Sequence, residues 1–265
     1  MKNFKIDKII KKKNKSKLIC LTAYSKNFSK ILDGYCDIIL VGDSLANVLY
    51  GMKNTHQIDV EIMIRHAQSV KAGVKKSLLV VDMPKNSYLT KASAKKNAKL
   101  ILKKTGCDAI KIENTVKNIN IVNAIVKSNI PVMGHIGFTP QFKKKFKVEG
   151  ENSKEFKKLL NLAKKIEKAG AFSIVLECIN KKSSRKITQE IKIPTIGIGS
   201  SQYCDGQVLV TDDILGLSGF YPRFVKKYAS LNRIIEKAVK KYTRDVKLLN
   251  FPKKKNFLNA RRDRK

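Results

Sequence analysis

Two short apolar runs that stop on aspartate decide the fold: Ile38-Ile39-Leu40-Val41-Gly42-Asp43-Ser44 and Leu78-Leu79-Val80-Val81-Asp82. An uninterrupted apolar run of this length, bounded by polar residues, predicts a strand that is buried on both faces, as in parallel sheets. If both strands end at the same edge of one sheet, the carboxylates of Asp43 and Asp82 lie close together. Such hard oxygen ligands suit Mg2+, so the two runs predict a metal site at the strand ends.

Six further runs of similar length complete the pattern, at residues 18–22, 109–112, 132–135, 173–176, 195–198 and 208–211. Helical patterns separate most of them, and alternating strands and helices predict parallel strands with right-handed crossovers. Eight such strands in about 250 residues predict an α/β fold, a single closed (β/α)8 TIM barrel. A doubly wound open sheet is the alternative. It would favour a glycine-rich phosphate loop after the first strand, and Thr22-Ala23-Tyr24-Ser25 is not one.

Apolar spacing predicts helices over residues 25–32, 60–74, 116–126, 153–169, 186–191 and 223–242. Another helix is expected between Thr90, a typical N-cap, and Gly106, a typical stop. Residues 1–17 are interpreted as a polar, loosely ordered lead-in, and residues 251–265 as a basic tail. Since no low-complexity linker interrupts the pattern, residues 1–265 are expected to form one barrel domain.

The composition is strongly basic, with 56 Lys+Arg against 21 Asp+Glu and a formal net charge of +35. One interpretation is a binder of nucleic acid or of an anionic surface. The other is that codons rich in A and T have placed lysines on solvated faces. The second is favoured because the lysines are spread along the chain and arginines cluster only at Arg261-Arg262-Asp263-Arg264. With no tryptophan and no binding motif either, a nucleic-acid partner is not expected.

Cysteine usage and hydropathy indicate the cellular compartment in which the protein is expected. The five cysteines are scattered and form no CxxC pair, which disfavours disulfides and structural zinc and fits a reducing environment. No apolar stretch approaches the roughly 18 residues of a membrane span, and none follows the basic N-terminus as in a signal peptide. A cytoplasmic protein without a membrane partner is therefore expected.

Polar residues mark the predicted strand ends: Asp43, Ser44, Asp82, Lys111, Glu113, His135 and Glu177. A barrel gathers these ends around one mouth, where active sites of this fold lie. Four carboxylates facing one lysine would repel one another without a cation, which Mg2+ could supply. Glu177, partly desolvated, is a candidate general base. His135 could be an acid, a base, an orienting group or a purely structural residue, and any single aspartate here could instead cap a helix.

Nine short motifs follow one another along the chain: Leu21-Thr22-Ala23-Tyr24, Val41-Gly42-Asp43-Ser44, Asp82-Met83-Pro84, Lys111-Ile112-Glu113, Pro131-Val132-Met133-Gly134-His135-Ile136-Gly137, Thr139-Pro140-Gln141, Leu176-Glu177-Cys178, Pro194-Thr195-Ile196-Gly197-Ile198-Gly199 and Cys204-Asp205-Gly206-Gln207-Val208-Leu209-Val210. Their identity and order resemble the ketopantoate hydroxymethyltransferase family. So many motifs in one order are far more specific than any one of them alone.

This resemblance implies a (β/α)8 barrel that transfers a hydroxymethyl group from 5,10-methylenetetrahydrofolate to 3-methyl-2-oxobutanoate through a Mg2+-stabilised enolate. The products would be 2-dehydropantoate and tetrahydrofolate, in the first step of pantothenate and coenzyme A synthesis. It further implies a homo-oligomer, commonly a decamer.

By position, the resemblance also assigns roles to the strand-end residues. Asp43 and Asp82 would ligate Mg2+, with Glu113 supporting the metal shell. Ser44 and Lys111 would contact the carboxylate and oxo group of the substrate, which chelates the metal held by the two aspartates. Glu177 would be the base.

Three mouth loops depart from the usual family pattern, at Ala46-Asn47, Lys85-Asn86 and Ser200-Ser201. These changes are expected to affect folate affinity and loop closure more than metal chemistry. The remaining alternative enzyme is a Mg2+ barrel of the phosphoenolpyruvate mutase or isocitrate lyase kind. Those enzymes typically use a cysteine in a mobile loop, and no cysteine here lies in a glycine-rich loop of that type.

Overall fold

The computed structural model describes residues 4–143, 146–219 and 221–257. Eight parallel strands form a closed barrel in chain order, and the eighth strand pairs with the first, which confirms the predicted (β/α)8 barrel. The strands are β1 (Leu18–Thr22), β2 (Ile38–Val41), β3 (Leu78–Asp82), β4 (Ala109–Lys111), β5 (Val132–Gly137), β6 (Ser173–Glu177), β7 (Thr195–Ile198) and β8 (Gly206–Leu209).

Ten α-helices lie in the described part of the chain: α1 (Phe4–Lys11), α2 (Lys26–Leu32), α3 (Leu45–Val48), α4 (Val60–Lys71), α5 (Lys91–Thr105), α6 (Ile119–Val126), α7 (Ser153–Lys168), α8 (Lys181–Glu190), α9 (Thr211–Leu215) and α10 (Leu231–Lys247). Short 3-10 turns cover Thr55–Gln57, Val116–Asn118 and Lys254–Asn256. The predicted limits of α5 are confirmed, because Thr90 caps its first turn and Gly106 ends it in the left-handed conformation.

The core has two layers, because successive strand residues point to opposite faces. Ile38 and Leu40 of β2 belong to a cluster formed mainly by strand residues, which fills the barrel. Ile39 and Val41 belong to the larger cluster that includes the inward faces of the surrounding helices. Burial on both faces explains why the strands appear in the sequence as uninterrupted apolar runs.

The predicted loosely ordered lead-in is wrong over residues 4–11, which form α1. Ile6 and Ile9 of this helix are buried in the same cluster as the barrel interior. The helical spacing of these two isoleucines was obscured by the surrounding lysines, and long-range packing against the barrel decides the outcome.

Lysines of α1 and the following turn form salt bridges with aspartates that directly precede β2, β4 and β8. The pairs are Lys12–Asp37 at 2.5 Å, Lys5–Asp108 at 3.2 Å and Lys13–Asp205 at 2.8 Å. Because all three aspartates stand at the N-terminal ends of strands, α1 lies across that end of the barrel. The opposite end, where the strands terminate, is left for the site.

Several predicted boundaries need correction. Strand β5 extends to Gly137, and the helix predicted over 116–126 begins at Ile119, after a 3-10 turn. Strand β8 spans Gly206–Leu209 rather than 208–211, because backbone pairing with β1 begins at Gly206 despite the polar Gln207. Helix α8 starts at Lys181, five residues earlier than predicted, with Asn180 as its N-cap. The last long helix spans Leu231–Lys247 instead of 223–242. The helix predicted over 60–74 ends at Lys71.

The chain divides into two compact units. The first contains the barrel and runs through Thr211, with Pro222–Val225. The second comprises Asp212–Tyr221 and the chain from Lys226 onward; it contains α10, which has no buried residue. The prediction of one domain over 1–265 stays a prediction. The tail from residue 258, including the arginine cluster, lies outside the described residues. None of the helices in the described ranges is long and apolar enough to cross a membrane.

Candidate active site

The predicted polar residues do lie at the C-terminal ends of the strands. Asp43 and Ser44 follow β2 by two and three residues, while Asp82, Lys111 and Glu177 are the last residues of β3, β4 and β6. Glu113 follows β4 by two residues, and His135 lies within β5. The parallel pairing aligns Asp82 with Lys111 and brings β5 next to β6, so the barrel itself assembles the group.

At the centre of the group, Lys111 forms a buried ion pair with Asp82. Its Nζ donates to Asp82 Oδ1 at 2.7 Å, while the backbone N–H of Asp43 donates to Asp82 Oδ2 at 3.1 Å. Burial alone would lower the pKa of Lys111, but the nearby carboxylates, Asp82 first, outweigh it and raise that pKa. The lysine is therefore a permanent cation at the mouth.

The carboxylates are less well stabilised in their charged form than the lysine is. Burial raises the pKa values of Asp43, Asp82 and Glu113. It raises the pKa of Glu177 to about 8, although Lys111 acts in the opposite direction. Burial therefore disfavours the ionised form of each carboxylate, and the single lysine does not offset this effect.

His135 lies between two of these carboxylates. Its Nε2 is 3.2 Å from Glu177 Oε2 and its Nδ1 is 3.7 Å from Glu113 Oε1. Among the described residues, neither ring nitrogen meets a partner in hydrogen-bond geometry, so these are close approaches rather than formed hydrogen bonds. Burial, with Lys111 second, lowers the pKa of His135 well below its usual range, which makes the imidazole neutral. Backbone hydrogen bonds with Asn114 hold the residue in place.

Ser44 occupies a different part of the mouth. Its hydroxyl is 2.9 Å from the hydroxyl of Tyr24, which lies two residues after β1. It remains beside Asp43 in the chain, at the start of α3.

A connecting residue was not assigned a role from the sequence. Gln141, buried after β5, donates from Nε2 to Asp43 Oδ2 at 2.9 Å, and its backbone N–H donates to Glu113 Oε2 at 3.0 Å. Tyr88 Oη donates to Gln141 Oε1 at 2.5 Å. The signal available in the sequence was the position of a polar residue in a mouth loop, but that position alone does not identify its partners.

The donor chemistry of the mouth fits a magnesium ion, although a complete protein cage is absent from the described residues. Those residues contain no group of three or more His, Cys, Asp or Glu side chains that could hold a metal by themselves. Mg2+ commonly uses one or two carboxylates and takes its other ligands from substrate and water. Asp43 and Asp82, two buried carboxylates linked through a backbone hydrogen bond, match that requirement.

Two of the three departing loops make contacts beside the site. Ser200 Oγ donates to Leu176 O at 2.8 Å and accepts from Ile179 N at 3.0 Å, so it holds the backbone on both sides of Glu177. Lys85 Nζ lies 3.2 Å from Nδ1 of His56. The prediction that Ala46-Asn47 lies in a loop is wrong, because both residues belong to the short helix α3, in which Ala46 is buried.

A closed (β/α)8 barrel that gathers carboxylates, a lysine and a neutral histidine at its strand ends has the architecture of a barrel enzyme. The family model described as Ketopantoate hydroxymethyltransferase matches residues 3–254. The chain therefore belongs to the ketopantoate hydroxymethyltransferase family, and it is a hydroxymethyltransferase.

Two curated relatives support this assignment. The 3-methyl-2-oxobutanoate hydroxymethyltransferase of Pelagibacter ubique (strain HTCC1062) is 51% identical over 254 residues, covering 96% of this chain and 99% of the relative. The enzyme of the same name from Anaplasma marginale (strain Florida) is 46% identical over 244 residues, covering 91% and 88%.

Solved structures with a similar fold come from a more distant group. A 2,3-dimethylmalate lyase, a member of the PEP mutase/isocitrate lyase superfamily, has a TM-score of 0.60 at 11% identity, covering 96% of this chain and 91% of that one. Phosphonopyruvate hydrolase, in complex with oxalate and Mg++, has a TM-score of 0.59 at 12% identity, covering 92% and 87%. At such low identity the likeness shows the fold alone.

Proposed function

We propose that this hydroxymethyltransferase converts 3-methyl-2-oxobutanoate to 2-dehydropantoate, with 5,10-methylenetetrahydrofolate as the one-carbon donor, in the first step of pantothenate synthesis. The relatives' names support the 2-oxo acid as the acceptor. The observation that carries the chemistry is the largely buried Glu177 carboxylate, whose side chain is 14% exposed and whose pKa is raised to about 8. A carboxylate in that state is a stronger base than one in water.

Substrate binding is assigned to the cationic and hydroxyl groups of the mouth. Lys111 would attract the carboxylate or oxo group of the 2-oxo acid, and Ser44 would donate a hydrogen bond to it. Asp43 and Asp82 would hold Mg2+, with Glu113 behind them, where Gln141 engages its Oε2. When bound, Mg2+ supplies a positive charge that polarises the oxo group and stabilises the negative charge that develops on its oxygen.

Glu177 would then remove the proton from C3 of the substrate. The C3–H bond breaks and the proton moves to a carboxylate oxygen of Glu177, while the electron pair spreads toward the oxo group. His135, neutral and 3.2 Å from Glu177, would orient the carboxylate without adding a competing positive charge. The His135 side chain is 2% exposed and that of Glu177 14% exposed, so few waters can reach the base.

The second half of the reaction forms the carbon–carbon bond. The C3 carbon attacks the methylene carbon of the folate, and both bonds from that carbon to nitrogen are broken overall. One water supplies the hydroxyl oxygen. The C3 proton and one proton of that water end on the two folate nitrogens, giving tetrahydrofolate and balancing the reaction.

The test is proton exchange at C3 of 3-methyl-2-oxobutanoate in D2O, followed by NMR with Mg2+ present and then chelated. Exchange should require Mg2+ and be lost in Glu177→Gln. The matched control is Glu190→Gln, at an exposed glutamate on α8 paired with Lys164, which should behave as wild type. Product formation should additionally require 5,10-methylenetetrahydrofolate. Exchange that persists in Glu177→Gln would exclude this residue as the base, and carbon–carbon chemistry without the folate would refute the transfer.

We also propose a cytoplasmic homo-oligomer, a decamer by family resemblance, without a nucleic-acid or membrane partner. Light scattering on the purified protein measures the oligomer size. The charge-based alternative predicts RNA binding that weakens steeply as salt increases, and filter binding at two salt concentrations tests it.

A further inference from the structure

Gln141 joins the ends of three strands through one side chain and one backbone group. Its Nε2 donates to Asp43 Oδ2 at 2.9 Å and to Met83 O at 3.1 Å, while its N–H donates to Glu113 Oε2 at 3.0 Å. These partners follow β2, β3 and β4. The glutamine, Asp43 and Glu113 are all buried, so water does not substitute for the bonds.

The chemistry of the partners fixes which way the amide points. Met83 O is a carbonyl and can only accept, so it must face the NH2 group of Gln141. The amide oxygen then faces Tyr88, whose hydroxyl donates to it at 2.5 Å. Burial, with Glu113 second, raises the pKa of Tyr88, so the phenol keeps its proton and remains a donor. Each polar atom of the Gln141 side chain therefore has a partner.

The consequence concerns the orientation of Asp43. Because Gln141 donates to Oδ2, it restrains the rotation of the Asp43 carboxylate. The backbone N–H of Gln141 similarly restrains Glu113, which would otherwise be repelled by Asp43. Because Nε2 donates to Asp43 and the backbone N–H donates to Glu113, each carboxylate receives a donor, which reduces the repulsion without adding charge.

We propose that Gln141 is the positioning residue that presents the Asp43 carboxylate to the divalent cation, and that Tyr88 fixes the amide of Gln141 for this task. The inference rests on the proposed function, because Asp43 is a metal ligand only there. It assigns a role to a loop residue that lies outside the strand-end set.

Calorimetric titration of the full-length protein with Mg2+, without substrates, tests the proposal. Gln141→Met keeps the length of the side chain and removes both donors; we expect the Mg2+ dissociation constant to rise between about 10- and 150-fold, the range for losing a hydrogen bond to a charged group. Tyr88→Phe should raise it about 2- to 10-fold. Gln202→Met, at an exposed glutamine, is the matched control and should leave it unchanged.

C3 exchange separates positioning from a general structural role. In Gln141→Met, raising Mg2+ should recover much of the lost exchange rate, whereas a destabilised fold would lower the melting temperature and leave the Mg2+ half-saturation unchanged. A folded Gln141→Met with wild-type Mg2+ affinity overturns the proposal. If that variant does not fold, wild-type affinity in Tyr88→Phe overturns it instead. Wild-type protein that binds Mg2+ but exchanges no C3 proton refutes the proposed function alone.

Discussion

Raising the pH from 7 to 9 at low Mg2+ should increase C3 exchange by up to about tenfold, because Glu177 must be ionised to act as the base. With the pKa of Glu177 at about 8, roughly a tenth of the protein carries the ionised base at pH 7 and roughly nine tenths at pH 9. A glutamate in water, with its pKa near 4.3, would give a flat rate over this interval.

The direction of the shift follows from the surroundings of Glu177. Burial raises its pKa, Lys111 lowers it and Asp82 raises it. A bound Mg2+ adds positive charge and lowers the pKa, so the midpoint should move to a lower pH as Mg2+ increases. Lys111→Met removes an opposing cation and should move the midpoint to a higher pH.

NMR measurement of exchange in D2O between pH 5.5 and 9.5, at several fixed Mg2+ concentrations, provides the profile. The rate of Glu177→Gln at each pH is subtracted as background. A rate that is flat above pH 6 at every Mg2+ concentration, down to the lowest, would show that Glu177 does not have the raised pKa. A wild-type profile that survives in Glu177→Gln would assign the titration to another group.

Three further predictions concern stability. Since the folded pKa of Glu177, about 8, exceeds its ordinary value of 4.5, ionisation weakens the fold as pH rises between these values. Glu177→Gln should therefore raise the melting temperature at pH 9 but not at pH 4, with an upper bound of about 5 kcal/mol at 1.36 kcal/mol per pKa unit. Lys111→Met should cost about 3–5 kcal/mol in urea unfolding, because it leaves Asp82 buried without its cation. Ile9→Ala, at a residue 2% exposed, should cost about 2–5 kcal/mol. Ile10→Ala, at a residue 39% exposed, should cost roughly 0.5 kcal/mol or less, and equal costs would contradict the packing of α1.

The barrel could be predicted because most of its strands are marked by a pattern within a short stretch of sequence. A strand buried on both faces needs a short apolar run, and residues 38–41 and 195–198 satisfy this requirement without reference to any neighbour. The predicted limits of these two strands are confirmed. Strand β8 was misplaced because Gly206 and Gln207 join the sheet through backbone pairing, which side-chain hydropathy does not report.

Helix α1 was missed for the opposite reason: its stability comes from distant residues. Only Ile6 and Ile9 are buried, and two apolar positions in a lysine-rich segment do not distinguish a packed helix from a solvated one. The aspartates that pair with the lysines of α1 and of the turn after it lie up to 192 residues away in the chain. The pattern within α1 therefore could not reveal the barrel end on which it packs.

Some residues of the candidate site could likewise be predicted from local sequence patterns, and others could not. Asp82, Lys111 and Glu177 could be predicted because each ends a strand, and the barrel forces strand ends together. Gln141 and Tyr88 lie in loops, where the direction of a side chain depends on the path of the backbone rather than on a repeating period. A sequence can place such residues at the mouth, but their hydrogen-bond partners emerge only from the folded structure.

The distribution of charge over the barrel supports the proposed cation at the mouth, although the overall composition is strongly basic. The chain has 56 Lys+Arg and only 21 Asp+Glu, yet in the described strand-end group four carboxylates face one lysine. At the other end of the barrel, α1 and the turn after it provide a lysine for each of three aspartates. Lysine is thus abundant and is used where carboxylates need a fixed counter-ion. At the mouth the carboxylates instead have pKa values raised by burial, as expected for the proposed site, which would hold a metal ion and an ionisable base.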